Sequence, residues 1–301
     1  RDLILKKVIL FFLFSFLFGS ESDFETSGHV NFSYISRLSN NSIINIPYRL
    51  SSIDIVHQKN NISLFATLAL EYQIRDENYF LESKNPQDFQ FDLRELYSTF
   101  SSNLYEFKIG KQIHSWGNVD DNSPLDNASA IDYYYIFLAG KERKIATFST
   151  ALDLYIGNLK LQTIISPLHN TNRLPIGNDD FPVELPLIPE KSNMMPIKGL
   201  GYEKGLYASY PFNYGEFSLS YFSGYDRIFN LSGVNVYGKG SDLSFTNIDI
   251  LYGYRKTETY GLGAVLLQSL FNIRFDIGYF STQDMNDSID FIHRKSIIFP
   301  A

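Results

Sequence analysis

Residues 62–74 read ISLFATLALEYQI. Taking alternate positions puts Ile62, Leu64, Ala66, Leu68, Leu70, Tyr72 and Ile74 on one face. The other face carries Ser63, Thr67, Glu71 and Gln73. A period of two means a β-strand with one apolar and one polar face. The run is well beyond the five or six residues typical of soluble sheets. A strand tilted by about 45° needs ~9–11 residues to cross a bilayer, and this one has enough.

The same alternation recurs outward along the chain. In 104–116, Tyr105, Phe107, Ile109 and Ile113 oppose Glu106, Lys108, Gly110, Gln112 and His114. Segments 146–156 and 271–279 repeat it, and weaker cases fall at 30–38, 48–57, 91–101, 159–166, 206–212, 217–225 and one long strand within 245–268. In 91–101 the faces mix, because Glu95 shares a parity with Leu93 and Tyr97. Helical periodicity is nearly absent, so the class is all-β. Short links at 59–61, 102–103, 157–158, 213–215 and 269–272 take turns with long ones at 39–47, 76–89, 117–145, 167–201 and 226–244. An antiparallel transmembrane β-barrel sorts its connections this way, with tight turns on one side and long loops on the other. A soluble sandwich has no reason to, and would have to bury the apolar rows under a second sheet. About eleven strands are expected. Because bacterial barrels use even numbers and the chain lacks a terminal aromatic strand, the barrel is expected to be incomplete, with C-terminal strands missing.

The N-terminus reads as an address. Lys6 and Lys7 precede the apolar run Val8 to Phe18, and Gly19, Ser20 and Ser22 follow. That run is too short to span a bilayer, so residues 1–22 are expected to be a signal peptide and 23–301 one barrel domain. The rest of the composition agrees. Aromatics reach 16%, a level suited to interfacial belts. A net charge of −7 argues against a nucleic-acid partner. The chain has no Cys, which removes disulfides and thiolate chemistry.

Three stretches carry a family resemblance: Arg94-Glu95-Leu96-Tyr97, then Gly110-Lys111-Gln112-Ile113-His114-Ser115-Trp116-Gly117, then Pro124-Leu125-Asp126. Asn172-Arg173-Leu174-Pro175 and Tyr260-Gly261-Leu262 add to it. Together they resemble porin-like bacterial outer-membrane barrels related to the alginate-export barrels. Lys111 stands where that family usually has Arg, and Ser123 where it usually has Asn before the proline. The resemblance implies a diffusion channel in the outer membrane, monomeric or homo-oligomeric, and names no solute.

The third long loop, 117–145, holds Asp120, Asp121, Asp126 and Asp132 and closes on Lys141, Glu142, Arg143 and Lys144. Folded into the lumen, it would face carboxylates toward Lys108 and Lys111 and set a transverse field; left outside, it is a solvated loop. The residues expected to line a pore are Arg94, Lys108, Lys111, Gln112, His114, Trp116, Asp120, Asp126, Asp153, Arg274 and Asp276. The five histidines are scattered without ligand spacing, so no metal site and no cofactor are expected. His114 and Ser115 point to opposite faces of a strand, which rules them out as a base and nucleophile pair. The loop 167–201 contains six prolines, Pro167, Pro175, Pro182, Pro186, Pro189 and Pro196, which stiffen a segment without ladder partners. The leading expectation is a non-enzymatic channel for passive diffusion or export of small polar solutes, with outer-membrane lipid around it. The alternative is a barrel-anchored receptor or adhesin that binds through its long loops.

Overall fold

The computed structural model describes residues 23–73, 89–119, 123–175, 194, 201–238, 245–268, 271–282 and 294–298. The expected signal peptide at 1–22, Asp120, Asp121 and most of the proline-rich loop lie outside the described residues.

The strands follow the alternating segments. They are β1 (Asp23–Val30), β2 (Tyr48–Lys59), β3 (Ile62–Tyr72), β4 (Phe89–Ser101), β5 (Tyr105–Gln112), β6 (Ala130–Ile131), β7 (Lys144–Ile145) and β8 (Thr147–Ile156). After them come β9 (Leu159–Ser166), β10 (Glu203–Phe212), β11 (Gly215–Tyr225), β12 (Asn230–Gly238), β13 (Phe245–Gly253), β14 (Lys256–Leu267), β15 (Asn272–Thr282) and β16 (Arg294–Ile298). One 12-stranded sheet runs β1-β2-β3-β4-β5-β8-β9-β10-β11-β14-β15-β16, and every pair in it is antiparallel. Its edge strands, β1 and β16, are not paired with each other, as in part of a barrel. The loop 113–146 reaches Glu71 on β3 at one end and Asp276 on β15 at the other, so the sheet curves around it. That side is the inward face.

Two expectations are corrected. The first strand is Asp23–Val30 rather than 30–38: pairing with β2 from Asp23↔Gln58 to Val30↔Ser51 sets its span, and the chain after Val30 turns back at Arg37 and Ser42. The long strand within 245–268 is two strands. β13 pairs with β12 in a separate hairpin, and the break at Tyr254 and Arg255 is fixed by Asp226 N donating to Arg255 O at 2.9 Å. The excursion between β11 and β14 therefore still counts as one long connection. The main sheet has twelve strands, in keeping with the about eleven expected.

The mixed parity of 91–101 has a structural cause. Thr67 pairs with Glu95 and Leu68 with Leu93, so Arg94 is an extra residue in a β-bulge. The bulge lets Arg94 and Glu95 both turn inward, each 6% exposed, while Leu93 keeps its outward row.

The outward face is apolar. Phe91, Leu68, Phe107, Ile109, Phe148, Leu219 and Leu262 stand exposed on it. Toward the long loops, Tyr48 meets Tyr72 edge-on at 5.8 Å and Tyr72 meets Phe89 at 4.8 Å. Toward the short turns, Phe100 and Tyr105 meet at 6.0 Å. From Phe89 to Phe100 the strand covers about 36 Å, or roughly 25 Å of height at a 45° tilt, the height of the apolar band between aromatic girdles in membrane barrels. Exposed in water, a face this large and apolar would promote association.

Deletion tests the bulge. Removing Arg94 leaves Leu93 and Glu95 on their present partners, so the variant is expected to assemble and keep the heat-dependent gel shift of a folded barrel. Removing Leu96 swaps the faces of the strand beyond it and is expected to abolish that shift.

Candidate functional site

The inward faces of the strands carry mostly small and polar side chains, with Ile164 and Phe222 among the exceptions, and the described parts of the loop 113–146 lie across them. It leaves β5 at Ile113, whose N–H donates to Glu95 Oε1 at 2.8 Å, while His114 N donates to Ser129 Oγ at 2.8 Å. Gly117, at φ 104, then turns the chain; a Cβ there would sit 2.0 Å from Ser123 Oγ.

At the β11–β15 wall, Asp276 holds the loop. Its carboxylate accepts from Asn118 N (2.8 Å), Asn118 Nδ2 (3.2 Å), Val119 N (3.0 Å) and Ser123 Oγ (2.7 Å). Asn118 Nδ2 also donates to Ser218 Oγ at 2.8 Å. The strands make room here by having no side chain: a Cβ on Gly263 would lie 2.3 Å from Asn118 Nδ2, and one on Gly261 2.5 Å from Leu125 Cγ. Leu125 is fully buried as a result.

At the β2–β4 wall the anchors are ionic. Tyr135 Oη donates to Glu71 at 2.7 Å, and Arg173, arriving from the next long loop, donates to Glu71 at 2.8 Å and to Asp132 at 3.2 Å. Arg49 and Arg94 both pair with Glu142, at 2.9 and 3.0 Å. The Arg49 guanidinium also lies 3.8 Å over the Tyr135 ring.

Between the walls, Lys144 pairs with Asp126 and donates to Ser115 Oγ at 2.8 Å. Burial pushes the Asp126 carboxyl up and the Lys144 ammonium down, and each partner opposes the other's shift. Trp116, 3% exposed, donates from Nε1 to Gln162 Oε1 at 2.6 Å and stacks on Tyr207 at 5.7 Å. Ala128, Ala151, Ile164 and Phe222 pack around it.

The residues expected to line a pore fall into different places. Lys108 and Asp153 share an inward cluster, 3.3 Å apart, and Lys160 reaches the same carboxylate at 3.3 Å. Arg94, Gln112, His114, Trp116, Asp126 and Asp276 point inward but are covered, and they hold the loop. Arg274 stands on the inward row and is exposed. Lys111 is a correction: it is level with Phe148 on β8 and shares the outward row of Phe107 and Ile109, so it faces away from the lumen. There its Nζ meets Leu93 O and Asp92, at 3.7 Å from the carboxylate. Strand parity alone excludes it. The loop carboxylates Asp126, Asp132 and Glu142 therefore face Lys144, Arg173, Arg49 and Arg94, rather than Lys108 and Lys111. Asp120 lies outside the described residues. Glu71, Arg49, Gln162 and Tyr207 were not among the residues expected to line a pore, although polar side chains within long alternating strands, Glu71 on the polar face of 62–74 among them, were the available signal.

His114 Nε2 is 2.8 Å from Ser149 Oγ, and both side chains are buried. This is a packing contact between strand-end neighbours. No group of acidic or histidine residues suited to a metal occurs among the described residues.

No protein-family model and no curated protein sequence matches the chain. Among solved structures it is similar to Pseudomonas aeruginosa OccK2 (OpdF), in complex with glucuronate, at 11% identity over 87% of this chain and 58% of that one, with a TM-score of 0.35. A BenF-like porin from Pseudomonas fluorescens Pf-5 aligns at 9% identity over 87% of this chain and 62% of that one, TM-score 0.36. A mutant of Rh. blastica porin aligns at 10% identity over 87% and 94% of the two chains, TM-score 0.28. The chain spans about three-fifths of the length of the first two.

Burial holds the His114 imidazole down at about 4, against roughly 6.5 for a free histidine. As pH falls, the unfolded chain takes up this proton first, so stability is present above pH 6.5 and is lost as pH falls from 6.5 toward 4. Urea unfolding in vesicles should show His114 costing up to about 3 kcal/mol between pH 7 and pH 4. The His114→Gln variant should lack that part of the acid sensitivity.

Proposed function

We propose that the chain forms a porin-like channel in a bacterial outer membrane, through which small polar solutes pass without any bond being made or broken. The reading rests on one observation above the others. The loop 113–146 is tied across the inward face from Asp276 on one wall to Glu71, Arg49 and Arg94 on the other. Such a loop narrows a lumen. The apolar outward face between two aromatic rows supports hydrocarbon as its surroundings. Among the described residues no helix is long and apolar enough to cross a membrane. The second reading is a surface receptor, favoured by the β12–β13 hairpin standing outside the main sheet.

Reconstitution of the native gene product in planar bilayers tests the proposal. Stepwise conductance is expected. An Asp276→Ala, Glu142→Ala variant, loosened at both walls, should show larger steps and red-shifted emission from the single tryptophan, Trp116. A folded barrel that conducts nothing would contradict the channel and favour the receptor.

A further inference from the structure

Register fixes which charges meet the lumen on the side of the loop nearest the short turns. The Asp276, Ser218 and Gln162 rows hold the loop itself. Beyond them, inward-pointing positions can be followed strand by strand. Ser27 pairs with Asp54, Asp54 with Thr67, Phe65 with Tyr97, and Thr99 with Lys108. Opposed residues in an antiparallel pair share a face, so Asp23, Glu25 and Asp54 stand on the same inward surface as Glu106, Lys108, Asp153, Lys160, Glu216 and Arg274.

The two lysines on this surface are already matched at contact distance. Lys108 lies 3.2 Å from Glu106 and 3.3 Å from Asp153, and Lys160 lies 3.3 Å from Asp153. Those two lysines and two carboxylates sum to zero. Arg274 and Glu216 flank Val265 in one row and offset each other at longer range. The β1–β2 wall is different. Asp54 accepts one hydrogen bond, from Thr67 Oγ1 at 2.7 Å, and neither it nor Glu25 nor Asp23 has a cationic partner among the described residues. Glu25 lies opposite Val56, diagonal to Asp54 across the β1–β2 pair, so the carboxylates form a short inward row.

We propose that the lumen prefers cations, that Asp23, Glu25 and Asp54 set this preference, and that the favoured organic solutes carry a protonated amine. The proposal rests on the channel reading. Carboxylates without counter-charge along a narrow aqueous passage raise the local concentration of cations and repel anions. Lysines bound to their own carboxylates offer little counterweight, and Lys141, which borders the same cavity from the loop, offsets one unit of charge, so the three carboxylates on β1 and β2 still decide the sign. Lys111, facing outward, contributes nothing to it.

The test is the reversal potential across a planar bilayer under a KCl gradient. Wild type should favour potassium over chloride. Glu25→Gln and Asp54→Asn should each lower the permeability ratio about twofold, the effect of one unit charge at ~8 Å in water. Asn at 54 keeps an oxygen for the Thr67 hydroxyl, and the heat-dependent gel shift confirms that each variant is folded. Lys108→Gln should change the ratio in the opposite direction, by freeing Asp153 and Glu106. Chloride preference, or a ratio indifferent to Glu25→Gln with Asp54→Asn, would overturn the proposal and leave the channel standing. Absence of conductance would overturn both.

Discussion

A loop folded inside a sheet must find partners for the backbone and side-chain groups it takes out of bulk water, and the Asp276 carboxylate is where this one finds the most. It accepts two backbone N–H groups, one amide and one hydroxyl from Asn118, Val119 and Ser123 while being 1% exposed. A carboxylate so buried is costly unless its oxygens are satisfied, and here the loop supplies every donor. The dependence is mutual: without the loop Asp276 is an apparent liability, and without Asp276 the first turn of the loop has no anchor. Glycines at 261 and 263 and serines at 218 and 220 then follow as the side chains small enough to leave room for it.

The opposite wall solves the same problem with ion pairs, because the residues arriving there are charged. Glu142 takes Arg49 and Arg94 together, and Glu71 takes Arg173 and Tyr135. Arg94 is available only because a bulge rotates it inward without disturbing the outward row. A regular strand would have had to choose between facing Glu95 or Arg94 to the lumen. The motifs Arg94-Glu95, Trp116-Gly117, Pro124-Leu125-Asp126 and Arg173 thus share one physical task. They seat the loop, and in the proposed channel the surface that would meet solute is a different one, the inward rows beyond it.

Much of the architecture was legible because alternation is a local property. Residues 62–74 and 147–156 announce both faces without reference to any partner, and the sorting of short and long links gave the sidedness. What was not legible depends on pairing. Glu95 looked misplaced until its partner, Thr67, showed that Arg94 is the surplus residue. The segment 245–268 was joined into one strand to keep short and long links alternating, because nothing within it reveals that β13 turns to β12 and β14 to β11. Lys111 was legible and misread: its parity with Phe107 and Ile109 already placed it outward, and its position in a motif drew it into the site. Glu71 and Tyr135 meet only in three dimensions, 64 residues apart, and no spacing rule foretells such a contact.

The central claim is that residues 113–119 and 123–146 lie inside the sheet rather than above it. The absence of native cysteine makes this directly measurable. Cysteines introduced as Asn118→Cys and Ser218→Cys, at side chains now hydrogen-bonded at 2.8 Å, should cross-link under mild oxidation in intact membranes, detected as a shift in mobility on non-reducing gels. A loop standing outside would leave both thiols free and reactive, and that result would contradict the account.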